Sequence, residues 1–237
     1  MKGELRFDPQ PHRYPGRHEV VDAELLVDGQ VLPVVVKKIR RSLSERIGKS
    51  RAQQAFEIAV ALWERDLPTP KPLGVLERPG ESWYVCAKVA GARQIREWFL
   101  HRDDPRNPEP LLPIEFEEVV RRVARLGRAL HDGGVWFRDF TDGNILVTPD
   151  SLWLVDLSRA RLRSGPVGLF PRLRDLSRLG LNRSEDRNLL LSSYFHPEPV
   201  PGSALLLTTA LRSRIVAWDD LKKRLRPWKR YASMPGG

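Results

Sequence analysis

The feature that most restricts the fold of this chain is a change of hydrophobic period along its length. The run VVDAELLVDGQVLPVVVKKI, residues 20–39, holds two β-rich segments around Asp28-Gly29, a dipeptide typical of tight hairpin turns. From Ile114 the pattern is helical, because FEEVVRRVARLGRALHDGG repeats valine and leucine at helical spacing and ends in a glycine pair. Strands come early and helices late. This order predicts an α+β protein with a small sheet lobe and a helical lobe.

Shorter elements complete the prediction. SRAQQAFEIAVALWERD indicates a helix with Ser50 as its N-cap, and SWYVCAKV, residues 82–89, indicates a further strand. Ile145–Val147 and Leu152–Val155 form a β-loop-β unit between helices, and the proline-rich residues 101–113 indicate a surface loop.

Composition limits the class of protein and its partners. With 41% hydrophobic residues in 237, the chain is typical of globular proteins. Its net charge of +10 favours a polyanionic partner such as a nucleotide, nucleic acid or an anionic membrane surface. Cys86 is the only cysteine, so no internal disulfide can form and a reducing compartment is expected. No apolar run approaches the length of a membrane span, which predicts a soluble or peripheral protein.

Three polar residues carry the spacing of a phosphoryl-transfer site. In FRDFTDGNILV, Asn144 follows Asp139 by five residues, and Asp156 closes the apolar run of LWLVD. Phosphoryl transfer from a nucleotide needs oxygen ligands for magnesium and a carboxylate that orients and deprotonates the acceptor hydroxyl. The spacing D-x-x-x-x-N followed by a strand-ending aspartate matches the catalytic segment of protein-kinase-like enzymes. The alternative is that these are turn residues, since Asp and Asn are common in turns.

A lysine precedes them in the expected order. Lys37 shares a strand face with Val35 and Ile39 by period-2 alternation. It resembles the strand lysine that binds nucleotide phosphates in protein-kinase-like enzymes, and Glu57, in the next helix, resembles its pairing partner. Gln53, one turn earlier on the same face, is the alternative partner. A solvated role for Glu57, and an edge-strand role for Lys37, also remain open.

Within the superfamily, the segments LPTPKPLGVLE, VAGARQIREW, FRDFTDGNILV, LWLVDLSRARLR and LRDLSRL resemble the bacterial lipopolysaccharide core kinases, which phosphorylate heptose or Kdo sugars. The resemblance implies a two-lobed protein-kinase-like fold, with an N-terminal lobe and hinge over residues 1–89 and a catalytic lobe over residues 90–237. It implies ATP and Mg²⁺ as cofactors and an inner-core sugar as acceptor. A cytoplasmic location, at the inner face of the inner membrane, is also implied.

The resemblance also assigns roles to individual residues. It implies that Lys37 binds the α- and β-phosphates and that Glu57 holds Lys37. The hinge with Ala87 and Val89 would hold the adenine, Asn144 and Asp156 would bind magnesium, and Asp139 would be the base.

The C-terminal segment LRSRIVAWDDLKKRLRPWKRY indicates a basic helix with Ile215, Trp218 and Leu221 on its apolar side. Two interpretations stay open. The helix packs on the lower lobe with a solvated charged face, or it contacts an anionic inner-membrane surface, where basic residues and tryptophans are favoured.

Some positions depart from the kinase pattern. Phe137 stands where a histidine is usual, Gly16 is alone where a G-x-G-x-x-G loop is expected, and Leu157-Ser158 replaces Phe-Gly. No A-P-E segment follows, which argues against an activation-loop protein kinase. The alternatives are a kinase of this fold acting on a protein or small molecule, or a nucleotide-binding pseudokinase. Nucleic-acid binding rests on charge alone, because no recognised module is present, and no nucleic-acid partner is predicted.

Overall fold

The computed structural model describes residues 3–7, 12–14, 19–40 and 49–225 of the chain. Its N-terminal part is an antiparallel sheet with the strand order β1-β3-β4-β6-β5, and β2 pairs with β3 at its side. The strands are β1 (Gly3–Arg6), β2 (Arg13–Tyr14), β3 (Glu19–Val27), β4 (Gln30–Arg40), β5 (Pro72–Arg78) and β6 (Glu81–Ala87).

The predicted hairpin joins β3 to β4. Val27 pairs with Gln30, so the turn contains only Asp28 and Gly29, whose φ angles are 50° and 79°. Both central residues are left-handed, as a two-residue turn of the type that matches strand twist requires, and Gly29 adopts this conformation without steric cost. The hairpin prediction is confirmed.

Helix α1 (Arg51–Trp63) lies between β4 and β5 in the chain, and the N-cap prediction is confirmed. The Ser50 hydroxyl accepts a hydrogen bond from the Gln53 backbone N–H at 3.1 Å, which satisfies one of the donors that the first helical turn leaves unpaired. The buried face of α1 carries Ala52, Ala55, Ala59 and Leu62. The small alanines let the helix approach the sheet closely.

The rest of the described chain is mainly helical. Its helices are α2 (Arg96–Asp103), α3 (Phe116–Asp132), α4 (Leu169–Leu176), α5 (Ser184–Phe195) and α6 (Gly202–Leu225). Its short strands are β7 (Arg93–Gln94), β8 (Val135–Trp136), β9 (Ile145–Val147), β10 (Leu152–Leu154) and β11 (Arg161–Leu162). They form a three-stranded sheet, β10-β9-β7, and a β11-β8 pair. A small sheet lobe followed by a helical lobe is the architecture that the sequence predicts.

The main hydrophobic core runs through both lobes. It includes Ile39 and Leu62 from the sheet lobe with Val123, Leu154 and Leu173 from the helical lobe. Hydrogen bonds reinforce this junction: Thr69 Oγ1 donates to the Leu154 carbonyl, and Leu154 N–H donates to the Pro68 carbonyl, both at 2.9 Å.

A smaller cluster around Val34, Val36 and Val85 covers the other face of the sheet. Because side chains alternate along β4, Lys37 lies on the face that carries Ile39, which is the face toward the lobe junction.

The structure differs from the sequence interpretation at several boundaries. The loop expected from residue 101 begins as the last turn of α2, which buries Trp98 and Phe99 and so extends into the polar segment. The strand expected over 82–89 ends at Ala87. The predicted C-terminal helix is longer, since α6 begins at Gly202. Gly16 lies outside the described residues. None of the described helices is long and apolar enough to cross a membrane.

Candidate active site

The β9–β10 hairpin brings two of the predicted site residues together. Ile145 on β9 pairs with Leu154 on β10, and the Val155 N–H donates to the Asn144 carbonyl at 3.0 Å. Asn144 directly precedes one strand and Asp156 is the second residue after the other, so both lie at the same end of the hairpin. The Asn144 side chain donates from Nδ2 to the Asp139 carbonyl at 2.9 Å. This bond joins the two ends of the D-x-x-x-x-N segment and directs the amide oxygen of Asn144 away from the loop.

Lys37 reaches the same place from the sheet lobe. Its Nζ lies 2.5 Å from Asp156 Oδ1, and the Ser158 hydroxyl donates to that oxygen at 2.9 Å. The Lys37 side chain is only 13% exposed, so this ion pair across the lobe junction is well shielded from water. The structure therefore brings together Lys37, Asp139, Asn144 and Asp156.

Glu57 is not brought to this cluster. It lies on the exposed side of α1, where Lys49 Nζ donates to its carboxylate at 2.9 Å and Gln53 Nε2 donates at 3.1 Å. The hydrogen bond from Lys49, followed by that from Gln53, lowers the pKa of Glu57. Within the described residues Lys37 therefore pairs with Asp156, and neither Glu57 nor Gln53 contacts it. A phosphate-linked role for Glu57 stays a prediction.

Another residue of α1, Gln54, contacts the segment that follows β10. With its side-chain amide oriented to satisfy both neighbours, Gln54 donates to the Ser158 carbonyl at 3.3 Å and accepts from Arg161 Nη1 at 2.6 Å. The sequence interpretation did not include Gln54, so this contact was not predicted.

Two residues of the site have left-handed backbones. Arg138 has φ 66° and Asp156 has φ 59°, a conformation that is uncommon for residues other than glycine. Such strain persists only where surrounding contacts enforce it, and it concentrates at functional sites. At Arg138 the contact is visible, because its backbone N–H donates to Asp175 Oδ2 at 3.1 Å.

Asp175 belongs to a buried polar group that the sequence interpretation missed. Asp175 and His131 are both 0% exposed, and His131 Nε2 lies 3.6 Å from Asp175 Oδ2. The other ring nitrogen of His131 lies 2.8 Å from the Tyr194 hydroxyl. Burial raises the pKa of Tyr194 to about 12, so this hydroxyl stays protonated. His131 lies in the last turn of α3 and is buried among polar partners. The segment LRDLSRL, which contains Asp175, was the available signal.

Phe137 occupies the position where protein kinases usually have histidine. It is 1% exposed and packs edge to face against Phe140, with ring centroids 6.0 Å apart. The aromatic side chain therefore anchors the start of the loop through packing, while the polar contact to the loop backbone comes from Asp175.

Two arginines flank the predicted base. Arg178 Nη2 donates to Asp139 Oδ1 at 2.6 Å, and Arg159 Nη1 lies 3.7 Å from Asp139 Oδ2. Arg178 follows α4 and Arg159 follows Asp156 by three residues, so both reach Asp139 through tertiary folding. Neither was predicted from the sequence.

The predicted hinge follows β6. Ala87 N–H donates to the Lys71 carbonyl at 2.9 Å, and Lys88 N–H donates to the Pro33 carbonyl at 3.0 Å. These bonds tie the segment to both neighbouring parts of the sheet lobe. Cys86 precedes it and is buried, and this burial raises the pKa of its thiol to about 12, as expected for an inert residue.

The donor set suits magnesium better than a transition metal. In the described ranges, no group of three or more His, Cys, Asp or Glu side chains is arranged to hold a metal ion. Asn144 and Asp156 supply hard oxygen donors at the same end of the β9–β10 hairpin. Magnesium in nucleotide-dependent enzymes is typically held by one or two such side chains, with phosphate and water oxygens completing its octahedron. The residues present fit this ion.

Comparison with models of protein families identifies the family of this chain. The model of the lipopolysaccharide kinase (Kdo/WaaP) family matches residues 27–190, well over half of the chain. The chain belongs to this family. The matched range contains Lys37, Asp139, Asn144 and Asp156, and it ends before α6. The family resemblance predicted from the sequence is confirmed, and membership of a kinase family supports phosphoryl transfer as the class of reaction.

A solved structure supports the fold of the family. The chain is similar to a structure described as WaaP in complex with acyl carrier protein, with a TM-score of 0.54 and 23% sequence identity over 94% of this chain and 98% of that chain. This similarity shows that the two share the two-lobed architecture, and the predicted fold class is confirmed. A search of curated protein sequences returned no significant match.

Proposed function

We propose that this protein transfers the terminal phosphoryl group of Mg-ATP to a sugar hydroxyl of the lipopolysaccharide inner core. The observation that carries the proposal is the convergence of Lys37, Asp139, Asn144 and Asp156 at the junction of the two lobes. Lys37 lies about a hundred residues before the other three in the chain, so turn propensity alone does not account for their meeting. Family membership supplies the substrate class.

On the nucleotide side, Lys37 and the hinge provide binding. The Lys37 ammonium donates hydrogen bonds to phosphate oxygens. Its ion pair with Asp156 holds the ammonium in position for this role. The adenine lies against the hinge at Ala87 and Val89. The Val89 N–H makes no hydrogen bond within the described residues, so it is available to an adenine nitrogen.

Asn144 and Asp156 are the residues that would hold magnesium. Held there, magnesium would supply positive charge that offsets the negative charge developing on the transferred phosphoryl group. The amide oxygen of Asn144 is directed outward because its nitrogen is engaged by the Asp139 carbonyl. The left-handed backbone of Asp156 sets the direction of its carboxylate.

Asp139 orients the acceptor hydroxyl and takes its proton. Arg178 occupies Asp139 Oδ1 at 2.6 Å, whereas Arg159 stays 3.7 Å from Oδ2, beyond hydrogen-bond distance. Oδ2 is therefore the oxygen that accepts the hydrogen bond of the incoming hydroxyl. Asp175 holds the Arg138 backbone and so keeps this carboxylate aimed at the cleft.

The proposal includes a location at the cytoplasmic face of the inner membrane, where the acceptor is anchored. Helix α6 exposes Leu206 and Trp218, which are 75% and 58% accessible, and the sequence that ends it is rich in lysine and arginine. Apolar and basic side chains together favour an anionic membrane surface. Sedimentation with liposomes tests this part: binding at low salt that requires anionic lipid supports it, and no binding contradicts it.

The central experiment is phosphate transfer from labelled Mg-ATP to purified deep-rough lipopolysaccharide. We expect labelling by the wild-type protein and none by Asp139→Ala, which keeps its affinity for ATP. Asp156→Ala is expected to weaken Mg-ATP binding as well. Asp150→Ala is the matched control, because Asp150 is an exposed aspartate in the turn between β9 and β10.

The outcomes separate the alternatives. Asp139-dependent labelling of the core sugar supports the proposal, and full activity of Asp139→Ala refutes the mechanism. If ATP binds but lipopolysaccharide is not labelled, the same assay with protein and small-molecule acceptors distinguishes a kinase of other specificity from a pseudokinase.

A further inference from the structure

Two arginines approach the proposed base and two more stack on a neighbouring tryptophan. Together we call them the arginine cluster: Arg138, Arg159, Arg174 and Arg178. Arg178 and Arg159 approach the Asp139 carboxylate at 2.6 and 3.7 Å. The other two lie against one aromatic ring, since the Arg138 and Arg174 guanidinium carbons are 4.9 and 5.8 Å from the centroid of Trp136. Stacking on an indole holds an arginine in a defined orientation.

The positive charge of the cluster is not balanced within the described part of the chain. Neither Arg138 nor Arg174 forms an ion pair there through its side chain, and Asp139 is the one carboxylate that Arg159 and Arg178 share. Other acids of the lobe have partners of their own, as Asp142 has in Arg96 at 3.1 Å. Asp175 is buried beside His131 and accepts only the backbone N–H of Arg138.

A groove leads from this cluster along the surface. It has a volume of about 710 Å³, lies between α4 and α6, and is lined by Arg174, Arg178 and Trp136 at one side and by Trp218 and Ile215 at the other. Because Arg178 both lines the groove and donates to Asp139, the groove lies one side chain away from the proposed base. A ligand that occupies this end of the groove meets guanidinium groups before it meets the carboxylate.

We propose that the arginine cluster binds a phosphate or carboxylate group of the acceptor and that the α4–α6 groove is the acceptor site. Guanidinium groups match both anions through paired hydrogen bonds, and Arg174 is already oriented by Trp136. The acceptor is thus an acidic sugar unit, with its anionic group on Arg174 and its hydroxyl at Asp139. The inference rests on the proposed function, because it takes Asp139 as the residue that meets the hydroxyl.

Arg178 already uses the Asp139 carboxylate as a partner. When an acidic acceptor is present, Arg178 is shared between that anion and Asp139 Oδ1. A neutral sugar offers no such partner, so the cluster selects acidic acceptors.

Calorimetric binding of deacylated lipopolysaccharide core tests the inference, because this probe keeps the acidic groups of the sugars and has no fatty acyl chains. We expect Arg174→Gln to weaken its binding at least about tenfold, as the loss of a charged hydrogen-bonding partner implies. Arg125→Gln is the matched control, since Arg125 is an exposed arginine on α3 whose partner is Glu118. Both variants should keep the wild-type melting temperature and ATP affinity.

Unchanged binding by Arg174→Gln, equal losses in both variants, or a wild-type protein that does not bind the core would each overturn the inference. Arg174→Lys keeps the positive charge but loses the paired hydrogen bonds, so we expect its affinity to lie between those of wild type and Arg174→Gln. An affinity as low as that of Arg174→Gln would show that the paired hydrogen bonds, and not the charge alone, hold the anion. Treating the core with phosphatase identifies the anion: lost binding assigns a phosphate, and retained Arg174-dependent binding assigns a carboxylate.

The same probe separates failure of the inference from failure of the proposed function. Calorimetry needs no phosphoryl transfer, so Arg174-dependent binding without labelling contradicts the function and leaves the acceptor site standing. Labelling whose KM for the core does not depend on Arg174 supports the function and overturns the acceptor site.

Discussion

Removal of the Asp175 carboxylate should both destabilise the protein and slow the reaction. Asp175 is 0% exposed, and its Oδ2 accepts the Arg138 N–H at 3.1 Å. In Asp175→Ala this N–H loses its partner in a buried place, which costs about 1–3 kcal/mol, and the bond lost is one to a charged group, worth about 1.5–3 kcal/mol. Both ranges refer to the same hydrogen bond and are not added, so we expect Asp175→Ala to lower the free energy of unfolding by about 3 kcal/mol.

That loss converts into a measurable shift of melting temperature. For chains of this size, each kcal/mol moves the midpoint by about 2–4 °C, so Asp175→Ala should melt about 6–12 °C below wild type. The left-handed backbone conformation of Arg138 costs about 1–2 kcal/mol to maintain. In Asp175→Ala, the hydrogen bond that holds this conformation is lost. Because Asp139 is the next residue, its carboxylate shifts, and a misplacement of about 1 Å lowers turnover by about 100-fold.

Thermal unfolding followed by circular dichroism, together with the transfer assay below the melting temperature, checks both effects. Asp175→Asn is the matched variant, since it keeps an oxygen acceptor of the same shape and should recover most of the melting temperature. If Asp175→Ala melts and turns over as the wild type does, the catalytic loop does not depend on this carboxylate and our account of the loop is refuted.

Three further predictions concern local structure. Ser50→Ala should lower the free energy of unfolding by about 1–2 kcal/mol in denaturant titration, since the N-cap bond to Gln53 is lost, and an unchanged midpoint would contradict the cap. Gly134→Ala should destabilise the protein more than Gly80→Ala, although both glycines have positive φ. A Cβ on Gly134 would lie 2.8 Å from the Arg163 carbonyl oxygen, whereas a Cβ on Gly80 would meet open space. Equal losses of stability would show that the clash at Gly134 is relieved. Cys86 should resist thiol reagents at pH 8 in the folded protein and react after unfolding, because burial raises its pKa to about 12; rapid labelling of the native protein would contradict this.

The elements that the sequence predicts correctly are those set by near neighbours. The Asp28-Gly29 turn, the Ser50 cap and the amphipathic helix α3 each depend on residues within a few positions, where backbone preference and side-chain period act directly. The spacing of Asp139, Asn144 and Asp156 was equally informative, because one short hairpin is enough to bring the last two together.

The meeting of distant groups follows from tertiary packing. Period-2 alternation placed Lys37 on the inner face of its strand, but it did not show that Asp156, rather than Glu57, pairs with it. The contacts of Arg178 with Asp139 and of Asp175 with the Arg138 backbone likewise join segments whose separation carries no local pattern. Ion pairs and buried hydrogen bonds depend on distance and on exclusion of water, and both are set by how the lobes and helices pack. The sequence by itself therefore determined the elements and the motif, and the packing determined the partners of each charge.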